Sequence, residues 1–100
     1  MDLSSVSHSV FEERIGEIFT LSTEGGGTTE LELVQVTLRG QPPAESGGRQ
    51  AFSVVFQTSL EPVLEQQIYR IENEHLGSAE LFLVPLGPAD GRMQYEAIFN

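Results

Sequence analysis

The sequence predicts an all-β fold, mainly antiparallel: a small six-stranded barrel or sandwich with one short N-terminal helix. Three observations carry this. Apolar and polar residues alternate with period 2 in short runs, as where Tyr95, Ala97 and Phe99 interleave with Gln94, Glu96 and Ile98. Such runs recur at near-regular spacing along the chain. Between them stand clusters of Gly, Pro, Ser and Asp, the residues that turns demand.

Each element follows in order. Residues 1–8 are polar and expected to be flexible, with Leu3 and Val6 as anchors. Ser9-Val10-Phe11-Glu12 fits a capping box, with Ser9 as N-cap and Glu12 three residues on. Val10, Phe11 and Ile15 share a side at helical spacing, and Gly16 supplies a left-handed stop. A helix from Ser9 to Ile15 is expected to plug an open barrel end or cover a sheet edge.

Glu17–Ser22 reads as the first strand, and Glu24–Thr29 as a glycine-rich hairpin loop. A phosphate-cradling loop would need a helix behind it and usually a lysine; a strand pattern follows and the chain has no lysine. Glu30–Arg39 is the second strand. Its apolar parity changes between Leu33 and Val34, which predicts a β-bulge or burial on both faces. Gly40–Gln50 carries Pro42-Pro43 and Gly47-Gly48 and is the longest loop. Phe52, Val54 and Phe56 then form the inner face of a third strand, alternating with Ser53, Val55 and Gln57.

After the turn at Ser59–Pro62, residues 64–73 carry both periods: Leu64, Ile68 and Ile71 at helical spacing, Tyr69, Ile71 and Asn73 at strand spacing. The β-rich surroundings favour a strand from Gln66 to Glu72. His75-Leu76-Gly77 turns the chain into the unbroken apolar run Leu81–Val84, expected to be a strand buried on both faces. Pro85–Pro88 ends it, Gly87–Gly91 is a polar loop, and Tyr95–Phe99 returns antiparallel.

Composition sets the bounds. One hundred residues suit a single domain over 1–100, in which folding buries about 65% of the extended chain's surface. No cysteine is present, so neither a disulfide framework nor a thiolate metal site is available. Fifteen acidic residues stand against five arginines, a net charge of −10. Phosphate backbones and anionic lipid surfaces are therefore repelled, and no nucleic-acid or membrane partner is expected. The N-terminus has neither the basic start nor the apolar segment of a secretory signal, and a cytoplasmic location is expected.

Chemistry-bearing residues are few. Glu72, Glu74 and His75 are adjacent, but no further ligand or supporting shell accompanies them, and a solvated turn is the plainer reading. No G-x-S-x-G elbow occurs. Carboxylate pairs such as Glu12-Glu13 and Glu30 with Glu32 fall on solvent faces, without the cleft that a glycosidase pair needs. No catalytic residue, cofactor or metal site is assigned. Gln67, Tyr69, Tyr95 and Glu96 are the candidate ligand or interface residues. The tyrosines either pack with their hydroxyls on backbone groups or, with Gln67, line a pocket in the barrel mouth. Glu96 is expected to pair with Arg70 or Arg92 across strands.

Gln67-x-Tyr69, His75-Leu76-Gly77, Leu81-Phe82-Leu83-Val84-Pro85 and Tyr95-Glu96-Ala97-x-Phe99-Asn100 resemble a family of small uncharacterised bacterial domains. Phe11, Gly16-x-x-Phe19, Leu31-x-Leu33-Val34 and Phe52-Ser53 extend the resemblance over nearly the whole chain. The family is one of the domains of unknown function. The resemblance implies an association with loci that encode phage-tail-like fibre or collar proteins, and carries over no catalytic residue. The functional expectation is a non-enzymatic interaction or structural module that binds an unidentified protein partner or itself. It would act through a sheet edge or the Gly40–Gln50 and Gly87–Gly91 loops. A small-ligand-binding barrel is the alternative.

Overall fold

A computed structural model describes residues 6–40 and 50–100. The Leu3 anchor and the interior of the Gly40–Gln50 loop lie outside them. One helix, α1 (His8–Glu12), precedes six strands: β1 (Ile18–Ser22), β2 (Thr28–Leu38), β3 (Phe52–Thr58), β4 (Gln67–Asn73), β5 (Gly77–Ala89) and β6 (Arg92–Phe99). Of barrel and sandwich, the barrel is what forms. The strands close in the order β1-β2-β3-β6-β5-β4, every neighbour antiparallel. Residues 64–73, ambiguous in period, contribute a strand.

Strands β3 to β6 make a Greek key, with β3 returning beside β6. In the ring β3 and β4 stand opposite each other, three places apart either way round. Segment 59–66 must therefore cross one open end. Leu64 drops from it into the core, and its backbone N–H donates to the buried Tyr95 hydroxyl at 2.8 Å. The Tyr69 hydroxyl donates to the Glu65 carbonyl oxygen at 2.7 Å. The crossing is thus pinned from inside by two tyrosines on different strands.

At the other end α1 inserts Phe11, which is fully buried. Its ring lies 5.3 Å from Phe99 and 5.8 Å from Phe52, and those two stack at 4.6 Å. The expected plug is there, with Val6 buried as its anchor. Its boundaries differ from expectation. The helix runs from His8 to Glu12, Ser7 is its N-cap, and no side chain caps it. The Ser7 and Ser9 hydroxyls bond each other at 2.9 Å, which occupies the group the capping box required. The chain turns after Glu12, so Ile15 faces solvent and does not continue the apolar side. Gly16 takes φ +95°, the left-handed stop.

The β2–β3 register shifts between Leu33 and Gln35, the bulge that the parity change announces. It lets Leu31 and Leu33 before it, and Val36 after it, all reach the core. In β3, the face opposite Phe52, Val54 and Phe56 is buried as well, at Ser53 and Val55. The Leu81–Val84 run corrects the expectation the other way. A closed barrel has one interior, so Leu81 and Leu83 are buried whereas Phe82 lies on the outer wall, half exposed. Pro85 and Pro88 do not end β5. Beyond Leu83 the strand pairs with β6 alone, and an overhang with a free side is where proline is tolerated and where it blunts edge pairing. The Gly87–Gly91 loop shrinks accordingly to a turn at Asp90-Gly91, both at positive φ.

Tyr95→Phe keeps the ring but strands the buried Leu64 N–H, and should cost about 1–3 kcal/mol. Tyr69→Phe frees only a part-buried carbonyl and should cost less, on the order of 1 kcal/mol. Urea unfolding of both variants checks the order; equal losses would count against the crossing being held by Tyr95.

Candidate functional site

The four residues singled out in the sequence divide between two places. Tyr69 and Tyr95 point inward at the crossed end, with Gln67 two residues before Tyr69 on β4. Burial pushes the Tyr69 hydroxyl above its ordinary pKa, and the Glu65 carboxylate adds to the effect. Both hydroxyls are committed to the backbone of segment 59–66, and Leu64 occupies the space between the strands there. Glu96 has the opposite parity and sits on the outer wall. Its partner is Arg39 at 4.0 Å, not Arg70 or Arg92. Arg70 is drawn to Glu72 on its own strand, 3.4 Å away, and Arg92 to Glu32 at 2.8 Å.

Two grooves flank the β1–β4 seam. The larger, about 610 Å³, is lined by Gly16, Glu17, Ile18, Thr20, Glu72, Asn73, Glu74 and His75. Asn73 organises it. This buried side chain donates from Nδ2 to Glu17 Oε1 and to the Ile18 carbonyl oxygen, both at 3.1 Å. Its Oδ1 accepts from the backbone N–H of His75 at 2.8 Å and of Leu76 at 3.1 Å. His75 Nδ1 lies 3.0 Å from Glu17 Oε1, and Nε2 lies 3.4 Å from Glu74 Oε1. Arg14 reaches Glu17 Oε2 at 3.2 Å. The hydrogen bond from His75 lowers the Glu17 pKa most; the Asn73 and Arg14 hydrogen bonds reinforce it against the opposing effect of burial. Among the described residues, no group of three or more acidic and histidine side chains is placed to hold a metal ion. His75, met in the sequence beside Glu72 and Glu74, bonds instead to Glu17, 58 positions away. No local spacing announces such a pairing.

The outer wall of β4–β5–β6 holds the second feature. Ile68 and Phe82 are direct register partners, and Ile98 on β6 comes level with Phe82 when the β5–β6 register is continued two residues past Val84↔Glu96. They are exposed by 61%, 48% and 49%. Scattered apolar side chains on a surface are ordinary; three on adjacent strands form a patch. Beside Ile68 lies the smaller groove, about 480 Å³, which includes Glu24, Gln67, Arg70 and Glu80. In the sequence this patch was visible only as excess: Phe82 in an unbroken apolar run, Ile98 among polar alternates.

Because Asn73 satisfies four groups, Asn73→Ala should destabilise by about 2–3 kcal/mol in urea unfolding. The lowered Glu17 pKa carries a sign. Its stabilisation is complete above the ordinary carboxylate range, where the unfolded chain is also ionised, and is lost as pH falls through the depressed folded value. The stability difference between wild type and Glu17→Gln should therefore be largest near neutrality and shrink below about pH 4. A pH-independent difference would show that Glu17 acts through packing alone.

Among the described residues no helix is long and apolar enough to cross a membrane. No curated protein and no solved structure matches the chain. A family model does, described as a domain of unknown function, and it covers residues 6–99, from the Val6 anchor through the last barrel residue, Phe99. With helix, crossing segment and all six strands inside the match, the chain belongs to the DUF6916 family of domains of unknown function.

Proposed function

We propose that this domain is a non-enzymatic protein-interaction or structural module whose contact surface is the outer wall of β4–β5–β6. The exposed row Ile68–Phe82–Ile98 carries the reading. Covering the exposed half of each side chain is worth about 1 kcal/mol, which makes the row a suitable centre for an interface whose rim supplies polar contacts. It is preferred to a sheet edge, since the barrel is closed and its overhang carries Pro85 and Pro88; the interior of the Gly40–Gln50 loop lies outside the described residues. A small-ligand site in the barrel mouth has less support: Leu64 fills that mouth and both tyrosine hydroxyls are engaged.

Affinity capture from the native host tests this. Tagged wild type should recover a protein in stoichiometric amount that survives about 0.5 M salt, beyond the screening of surface charge. Phe82→Ser, a change on the outer wall, should fold normally and lose it. A partner from a fibre or tail assembly would place the module in the setting that the sequence resemblance implies. Equal recovery by both forms would overturn the assignment of this face.

A further inference from the structure

We infer that the Ile68–Phe82–Ile98 row is spaced and charged to receive a basic amphipathic helix of another protein, an inference that rests on the interaction reading above. Spacing is the first argument. The β5–β6 ladder ends at Val84↔Glu96; continued by two residues, its register sets Phe82 level with Ile98, in one row with Ile68. Adjacent strands are about 4.8 Å apart, and three anchors therefore span about 10 Å. Helical residues at i, i+3 or i+4, and i+7 advance by about 5 Å per step along the axis. A helix laid across the strands can set one apolar side chain against each anchor. An extended segment laid the same way cannot, because its same-face side chains advance by about 7 Å.

Charge is the second argument. Carboxylates border the row on both sides, Glu80 along one and Glu96 along the other. Arg70, the register partner of Glu80, turns to Glu72 at 3.4 Å and to the Ser78 hydroxyl at 3.3 Å. Among the described residues, Glu80 is left in no ion pair and Glu96 is held only by Arg39 at 4.0 Å. Glu24 adds a further carboxylate in the groove beside Ile68. The chain as a whole carries −10. A second copy would bring like charge against like, whereas a helix with lysine or arginine flanking its apolar stripe meets carboxylates on both sides.

The test is an NMR titration of the full chain with two synthetic helical peptides. One carries leucine at i, i+3 and i+7 with lysine on the flanks; its twin carries glutamate in place of lysine. The lysine peptide should shift the amides of Ile68, Phe82 and Ile98 saturably, and Phe82→Ser should weaken it by about tenfold or more. Glu80→Lys should weaken the lysine peptide and strengthen the glutamate twin, an exchange that loss of folding cannot produce. Equal binding of the twins would overturn the inference. So would shifts spread over the acidic surface and unchanged in Phe82→Ser, or a concentration-dependent dimer that Phe82→Ser abolishes. If neither peptide binds up to about 1 mM while the captured partner is still lost with Phe82→Ser, the helix inference falls and the interaction face stands. If capture is also unaffected, both fall.

Discussion

The β1–β4 seam is what makes this sheet a barrel, and it is short. Only Thr20↔Glu72, Leu21↔Ile71 and Ser22↔Arg70 pair across it. Without it β1 and β4 would be edge strands with open backbone groups. Asn73 lengthens the seam by a side-chain route: its amide reaches the Ile18 carbonyl, where the backbone ladder has already stopped. The same residue holds the β4–β5 turn through two backbone N–H groups and ties in Glu17. A buried polar side chain is costly unless fully satisfied. Here four bonds satisfy it, so closure of the sheet and order in the turn depend on one another.

Closure leaves two open ends, and the chain fills them by different means. At the α1 end the fill is aromatic. Phe52 and Phe99 stack with their planes 5° apart, and Phe11 tilts against both. Such contacts add about 0.5–1.5 kcal/mol per pair beyond their burial. At the crossed end the fill is one leucine and two tyrosines, and the tyrosine hydroxyls answer the backbone groups that a loop brings inside. A barrel of six strands is narrow enough for its own side chains to fill. Both ends are therefore occupied by the chain's own side chains.

Period-2 alternation made most of the fold legible before any coordinates. It located the strands and the bulge after Leu33, while helical spacing and the Gly16 stop located the helix that plugs the end. The errors share a cause: sequence period reports which residues are apolar, not what covers them. Leu81–Val84 looked buried on both faces because all four are apolar, yet only alternate residues can enter a single-layer barrel. Pro85 and Pro88 looked like a stop because proline breaks a central ladder, yet β5 has a free side there. The Asn73–Glu17–His75 network was hidden for a further reason. Its members are more than fifty positions apart and meet only through closure of the seam. Of the four residues singled out, Tyr69 and Tyr95 hold the crossing segment, Gln67 lines the groove beside Ile68, and Glu96 lies on the outer wall beside Arg39.

Acidity and the exposed apolar row are better understood together than apart. An apolar row on a neutral protein would draw any similar surface, including another copy of itself. At −10 net charge, approach between copies is opposed at distances within a Debye length of about 8 Å, whereas apolar contact acts only once water is expelled. The two ranges differ, so repulsion operates first. In the proposed reading, a surface that neutralises the bordering carboxylates can come close enough for Ile68, Phe82 and Ile98 to contribute. In that reading the charge that opposes approach between copies is also the filter on what the row admits.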